Sequence, residues 1–208
     1  MKKQAARVGF YASLLAFIAA AGYGVVQILR ITGILIDPLD NILIYSFLLA
    51  IALPFLMSML ALHYFSPEED RLWSHAALLF ALMYAVYVIL MYAVQLTSVI
   101  HLSIHNSIDT ILTVKPQSFI WTIDALGYIC MGLSTLCAAL IFKQYPLQRL
   151  IRLFMTANGV IVPIVSLVYF YPRFSFVLLF LACLWMITLP ASMLLLAVFF
   201  KKALKTMD

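Results

Sequence analysis

His101, His105 and Asp109 recur every four residues through HLSIHNSID, two imidazoles and a carboxylate in a chain otherwise poor in polar side chains. On a helix, imidazoles at i and i+4 stand about 6 Å apart, near enough to share one metal ion, and Asp109 reaches the same ion only by a bent approach. In a strand the two rings would be about 13 Å apart and could not chelate together. The alternation of Ile100, Leu102 and Ile104 with His101, Ser103 and His105 fits a strand nearly as well as a helix. A lone strand beside helices has no partner for its backbone, which favours the helix. As a helix, Ile104, Ile108, Ile111 and Leu112 form an apolar arc opposite Ser103, Asn106, Ser107, Thr110 and Thr113, with the histidines on the shoulder. That describes an interfacial helix on the outer membrane surface. The three ligands lack the specificity of an HExxH or paired CxxC pattern, and no second cluster completes them, so a wetted helix edge is the simpler reading.

Asp124, in WTIDALGY, is the more informative carboxylate. It falls about 8 Å along the axis from the start of an apolar stretch, counting 1.5 Å per residue. A charge at that depth is costly and normally faces a bundle interior or cavity. Companions can be chosen by depth: Gln27, Gln95, Tyr128 one turn below Asp124, and Arg30 and Arg173 at the outer rim. Together they are expected to line one outward-facing cavity walled by Tyr, Phe, Trp121 and Met side chains. The alternative is an Asp124 bonded to an Arg or Gln merely to fix helix register.

These residues must be positioned by membrane helices. Of 208 residues, 66% are hydrophobic and only 10% charged, too few to solvate a soluble surface of this size. Six stretches reach the roughly 20 apolar residues a bilayer crossing needs. They run approximately from Arg7 to Leu29, Asn41 to Leu62, Leu72 to Gln95, Phe119 to Phe142, Leu150 to Phe170 and Ser175 to Phe200. The expected fold is all-α, a single polytopic bundle over 1–208. The first stretch has a basic start and small residues at Ala19, Ala20 and Ala21 like a secretory signal, but its apolar run continues through Leu29, longer than a removable signal.

Thirteen Lys and Arg against eight Asp and Glu give a net charge of +5. The basic residues sit in short loops and at the ends, which excludes a nucleic-acid-binding stripe. With both termini cytoplasmic, Lys2, Lys3, Arg7, Arg71, Lys143, Arg149, Arg152, Lys201, Lys202 and Lys205 lie inside, and only Arg30, Lys115 and Arg173 outside, a strong positive-inside bias. Cys130, Cys137 and Cys183 lie in apolar runs with no CxxC and imply no disulfide framework.

Finer features are also readable. Ser66, Pro67 and Glu69 have the spacing of a capping box opening the third helix near Pro67. Ala12, Ala16, Ala20 and Gly24, and again Ala77, Ala81 and Ala85, form small-residue stripes that make helices one and three expected neighbours, or dimer faces. Pro54, Pro163 and Pro190 predict kinks in spans two, five and six. Asn158 and Gly159 read first as packing residues, with a loosened helix before Pro163 as the alternative.

The stretches SPEEDRLWSHAALLFALMYAVYVILMYAVQL and IDALGYICMGLSTLCAAL resemble segments of small, uncharacterised bacterial six-helix membrane proteins. The likeness covers about a third of the chain. It implies residence in a bacterial inner membrane and carries no activity with it.

Three functions follow as expectations. The first is a non-enzymatic inner-membrane protein that binds, and by extension transports, a small amphipathic or lipid-like molecule around Asp124. The second is an intramembrane enzyme acting on a lipid or isoprenoid, with a metal on His101, His105 and Asp109 and Asp124 as acid or base. The third is a packing subunit for a membrane-protein partner or a homo-oligomer. Walker loop, GxSxG, HExxH and dinucleotide patterns are absent, so no catalytic residue and no cofactor beyond that metal is assigned.

Overall fold

The computed structural model describes residues 2–100, 112–115, 118–143, 145–171 and 175–207, and among these all regular structure is helical. The elements are α1 (Lys2–Ile31), α2 (Leu39–Phe65), a short 3-10 turn (Glu68–Asp70), α3 (Arg71–Val94) continuing into a π-helical turn (Gln95–Val99), α4 (Phe119–Ala139), α5 (Pro146–Val160), α6 (Val162–Phe170), α7 (Phe176–Ala182) and α8 (Trp185–Lys205). They group into six helices long and apolar enough to cross a membrane: Lys2–Ile31, Leu39–Phe65, Glu68–Val99, Phe119–Ala139, Pro146–Phe170 and Phe176–Lys205. These are the six stretches expected from hydropathy, mostly extended by a few residues at their ends. The interfacial helix expected around His101 to Asp109 lies outside the described residues.

The spans close into a ring in chain order. α1 packs on α2, α2 on α3, α3 on α4, α4 on α5 and α6, α5 on α8, and α8 back on α1. Outward faces stay apolar, with Leu15, Ile18, Leu53, Val86, Leu90 and Leu167 all exposed. Apolarity on every side is the pattern of helices solvated by lipid rather than by water.

Lipid tails are as apolar as the helices, so burial alone does not hold such a ring together, and the interfaces carry hydrogen bonds and small residues instead. Ser13 Oγ donates to Ser58 Oγ (3.2 Å) between α1 and α2. Phe55 meets Tyr84 edge to face at 5.3 Å between α2 and α3. Ser134 Oγ donates to the Ala77 carbonyl (2.7 Å) between α4 and α3. Asn158 Nδ2 donates to Thr135 Oγ1 (3.0 Å), and Thr188 Oγ1 donates to Asn158 Oδ1 (2.8 Å), joining α5 to α4 and α8 through one buried amide. Gly9 lets the Phe200 ring of α8 lie against α1. Asn158→Ala is expected to lower the apparent melting temperature of the detergent-solubilised protein by the equivalent of about 1–2 kcal/mol. An unchanged melting curve would show that the amide contributes nothing.

Both chain ends lie at the same end of the ring, where Lys201 Nζ sits 5.9 Å from the centre of the Phe10 ring. There the interior is filled by Phe55, Met59, Leu62, Met193, Leu196 and Phe200, each essentially inaccessible. Lys143 pairs with Glu69 and stands 3.9 Å from Asp70, tying the turn before α3 to the turn after α4. The Glu69 carboxylate holds the Lys143 ammonium above the usual lysine range.

Two local expectations are corrected, and the prolines divide. Ser66 does not cap α3: its N–H and Oγ both donate to Leu62 O, closing the end of α2, and Glu69 turns to Lys143. The 3-10 turn intervenes because Pro67 is extended, with ψ of 163°. α1 and α3 are not packing neighbours, since α2 lies between them; their small residues receive α2, α4 and α8. Of the three prolines, Pro54 and Pro190 sit within continuous helix, while Pro163 opens α6 after a break at Ile161. The break in span six comes earlier, between Ala182 and Trp185, where Met186 N–H bonds back only three residues to Cys183 O.

Candidate functional site

The end of the ring opposite the termini is not filled. α4 starts there, with Ser118 Oγ accepting the Trp121 backbone N–H (3.1 Å) and fixing where the helix begins. From that start, Trp121, Asp124 and Tyr128 follow at i, i+3 and i+7 along one face turned to the interior. α1 ends at the same level, where Gly33 adopts φ of +74° and Ile34 N–H returns to Leu29 O, a left-handed stop that suits glycine.

Asp124 is only 7% exposed. Tyr92 Oη donates to its Oδ1 and Tyr169 Oη to its Oδ2, each at 2.8 Å, so α3 and α6 converge on a carboxylate from α4. Tyr128 Oη lies 3.4 Å from Tyr92 Oη. Because the Tyr92 hydrogen goes to Asp124, the second contact is one that Tyr128 donates, which makes a relay from Tyr128 through Tyr92 to the carboxylate. Around this core Trp121 packs on Tyr169 at 4.5 Å, Tyr45 stacks on Tyr92 at 5.8 Å, and Trp185 contacts Tyr128 at 5.1 Å and Tyr23 at 5.2 Å.

These groups line a cavity of about 570 Å³. That lies within the range of small-molecule sites, and its walls of rings and aliphatic chains with a few convergent polar groups match their usual composition. Its wall also coincides with irregular backbone in three spans. Gln95 opens the π-helical turn of span three, Val165 and Tyr169 follow the break in span five, and Ala182, Cys183 and Trp185 bracket the break in span six. Helices ordinarily keep every backbone bond in a membrane, and departures cluster where protein lines a cavity or binds a ligand.

Gln95 is fully buried. Its Nε2 donates to the Leu112 carbonyl (2.7 Å), which fixes the amide orientation and leaves Oε1 without a hydrogen-bond partner among the described residues. At the rim, Arg30 Nε pairs with Asp40 Oδ2 at 3.1 Å, and Gln27 Nε2 donates to Tyr23 Oη at 2.7 Å.

The structure therefore brings Asp124, Gln95, Gln27, Tyr128 and Arg30 to one cavity, while Arg173, named with them, lies outside the described residues. So do His101, His105 and Asp109; among the described residues no group of three His, Cys, Asp or Glu side chains converges as a metal site. The alternative of an Asp124 bonded to Arg or Gln gives way to two tyrosines, because Arg30 is turned to Asp40 and Gln27 to Tyr23. Tyr92, Tyr169, Tyr23 and Trp185 went unrecognised from sequence. Helical spacing carried a signal for two of them: Tyr92 is three residues before Gln95, and Tyr23 four before Gln27. Trp185 lies beside a helix break that no local pattern marks.

Six helices of spanning length and composition around a polar-floored cavity are those of a multi-pass α-helical membrane protein. No family model, no curated protein and no solved structure matches the chain, so the reading of the site rests on its geometry.

Proposed function

We propose that the protein is a bacterial inner-membrane protein that binds, and by extension transports, a small amphipathic or lipid-like molecule in the cavity around Asp124. The observation that carries this reading is the buried carboxylate held by Tyr92 and Tyr169 at the bottom of a cavity of about 570 Å³. A membrane protein that needed Asp124 only for packing would close its neighbours over it, and this one leaves space large enough for an organic molecule. Discontinuous helices beside a cavity are the form in which many transporters build substrate sites, and spans five and six have it. The ten basic residues at the termini end, against Arg30 and Lys115 at the cavity end among the described residues, support a cytoplasmic placement of both termini, with the cavity facing outward.

Native mass spectrometry of the gently solubilised protein tests the reading. The wild type is expected to carry a bound organic species, and Asp124→Asn is expected to accumulate in the membrane yet lose it. A bare wild-type chain, or equal retention by the variant, counts against a binding role for this cavity. Failure of Asp124→Asn to accumulate at all would favour a purely structural carboxylate.

A further inference from the structure

We infer that the cavity selects an organic ammonium group, carried by a free amine or by a lipid headgroup, and seats it on Asp124 between aromatic faces. This rests on the reading of the cavity as a binding site and specifies its ligand.

Three observations converge. The first is charge. Both Asp124 oxygens are within hydrogen-bond distance of tyrosine hydroxyls, and among the described residues no cationic side chain stands within ion-pair distance of it. The nearby Arg30 is committed to Asp40. Buried carboxylates are normally paired, so a cationic ligand completes what the protein leaves open.

The second is the wall. Tyr92, Tyr128, Tyr169, Trp121 and Trp185 surround the carboxylate. Aromatic faces carry negative quadrupole density and attract ammonium groups, most strongly where water is excluded. The same cavity is also lined by Arg30, which pairs with Asp40, and by Lys115.

The third is Gln95. Its Oε1 is a buried acceptor with no donor among the described residues, while its Nε2 is already used on Leu112. An orphaned acceptor lining the same cavity asks for an N–H or O–H from the occupant. Carboxylate, ring faces and orphan acceptor all select a ligand that is positive and donates hydrogen bonds; an ammonium meets all three.

Trp121 and Trp185 line the cavity and report occupancy through their emission. Phenylbutylamine and its neutral counterpart phenylbutanol are titrated into the wild-type protein in non-ionic detergent, with empty micelles subtracted. The amine is expected to bind about tenfold tighter than the alcohol or better, and Asp124→Asn to bring the two within about threefold. Gln95→Leu is the second variant, expected to weaken both probes, because the ammonium and the hydroxyl each carry a hydrogen for Oε1; unchanged binding of the amine would show that Gln95 does not hold the ligand. Phosphatidylethanolamine and phosphatidylglycerol are then added as competitors. Displacement by the first alone supports a headgroup ammonium, and displacement by neither supports a free amine. Equal wild-type binding of amine and alcohol overturns the ammonium assignment and leaves the binding site standing. Binding of neither probe, with neither lipid retained by the folded protein, overturns both.

Discussion

Gly159→Ala is expected to destabilise the folded bundle by about 1–3 kcal/mol, the cost typical of overpacking a closed interior. The added Cβ would lie 2.6 Å from Leu136 Cβ and 3.0 Å from the Gly132 carbonyl oxygen. Neither atom belongs to the free end of a side chain, so relief requires α4 and α5 to separate. Separation strains the hydrogen bond from Asn158 to Thr135 one residue away. Gly132→Ala acts at the same crossing, with its Cβ 2.2 Å from Val162 Cγ2. Gly24→Ala is the control: nothing lies within 4 Å of its Cβ, and relief of glycine's helix penalty makes it neutral or stabilising by up to about 1 kcal/mol. Thermal unfolding in detergent compares the three. Equal melting temperatures for Gly159→Ala and Gly24→Ala would refute the close crossing.

That crossing illustrates what sequence can and cannot specify in such a chain. The spans were legible because the bilayer imposes a length and a polarity on each, and a run such as Leu72 to Gln95 has no other soluble interpretation. Neighbour relations were not. With every face apolar, the Ala stripes on α1 and α3 reveal that something packs closely without naming it, and the partners turned out to be α2 and α8 for α1, and α2 and α4 for α3. Depth was legible as well: Gln27, Gln95, Asp124 and Tyr128 share a level, and sharing a level in a small bundle brings residues near one another. Orientation around the axis was not, so the two tyrosines that bond Asp124 were missed. Helix breaks were harder still. Pro163 marked one, but the interruption before Trp185 contains no proline or glycine, and the π-helical turn at Gln95 has only its polar residues Gln95, Thr97 and Ser98 to announce it.

Removing the two hydroxyl donors of Asp124 is expected to cost more than removing the whole polar group. Tyr92→Phe and Tyr169→Phe each delete one 2.8 Å hydrogen bond to a carboxylate, a loss of about 1.5–3 kcal/mol per bond. The double variant leaves a buried carboxylate with neither tyrosine donor and is expected to accumulate poorly. Adding Asp124→Leu to that background replaces charge and partners by apolar groups of similar size, and breaking a buried polar set is costlier than replacing it outright. The triple variant is therefore expected to be more stable than the double, by apparent melting temperature, although it carries one more substitution. Asp124→Leu alone should fall below the triple, because it leaves two tyrosine hydroxyls without their acceptor. If the substitutions instead add independently, the carboxylate and the tyrosines do not act as one unit and the relay from Tyr128 has no energetic meaning. The triple variant also separates stability from recognition. It should fold, keep the cavity, bind phenylbutanol, and have lost its preference for phenylbutylamine; retention of that preference would place the ammonium site away from Asp124.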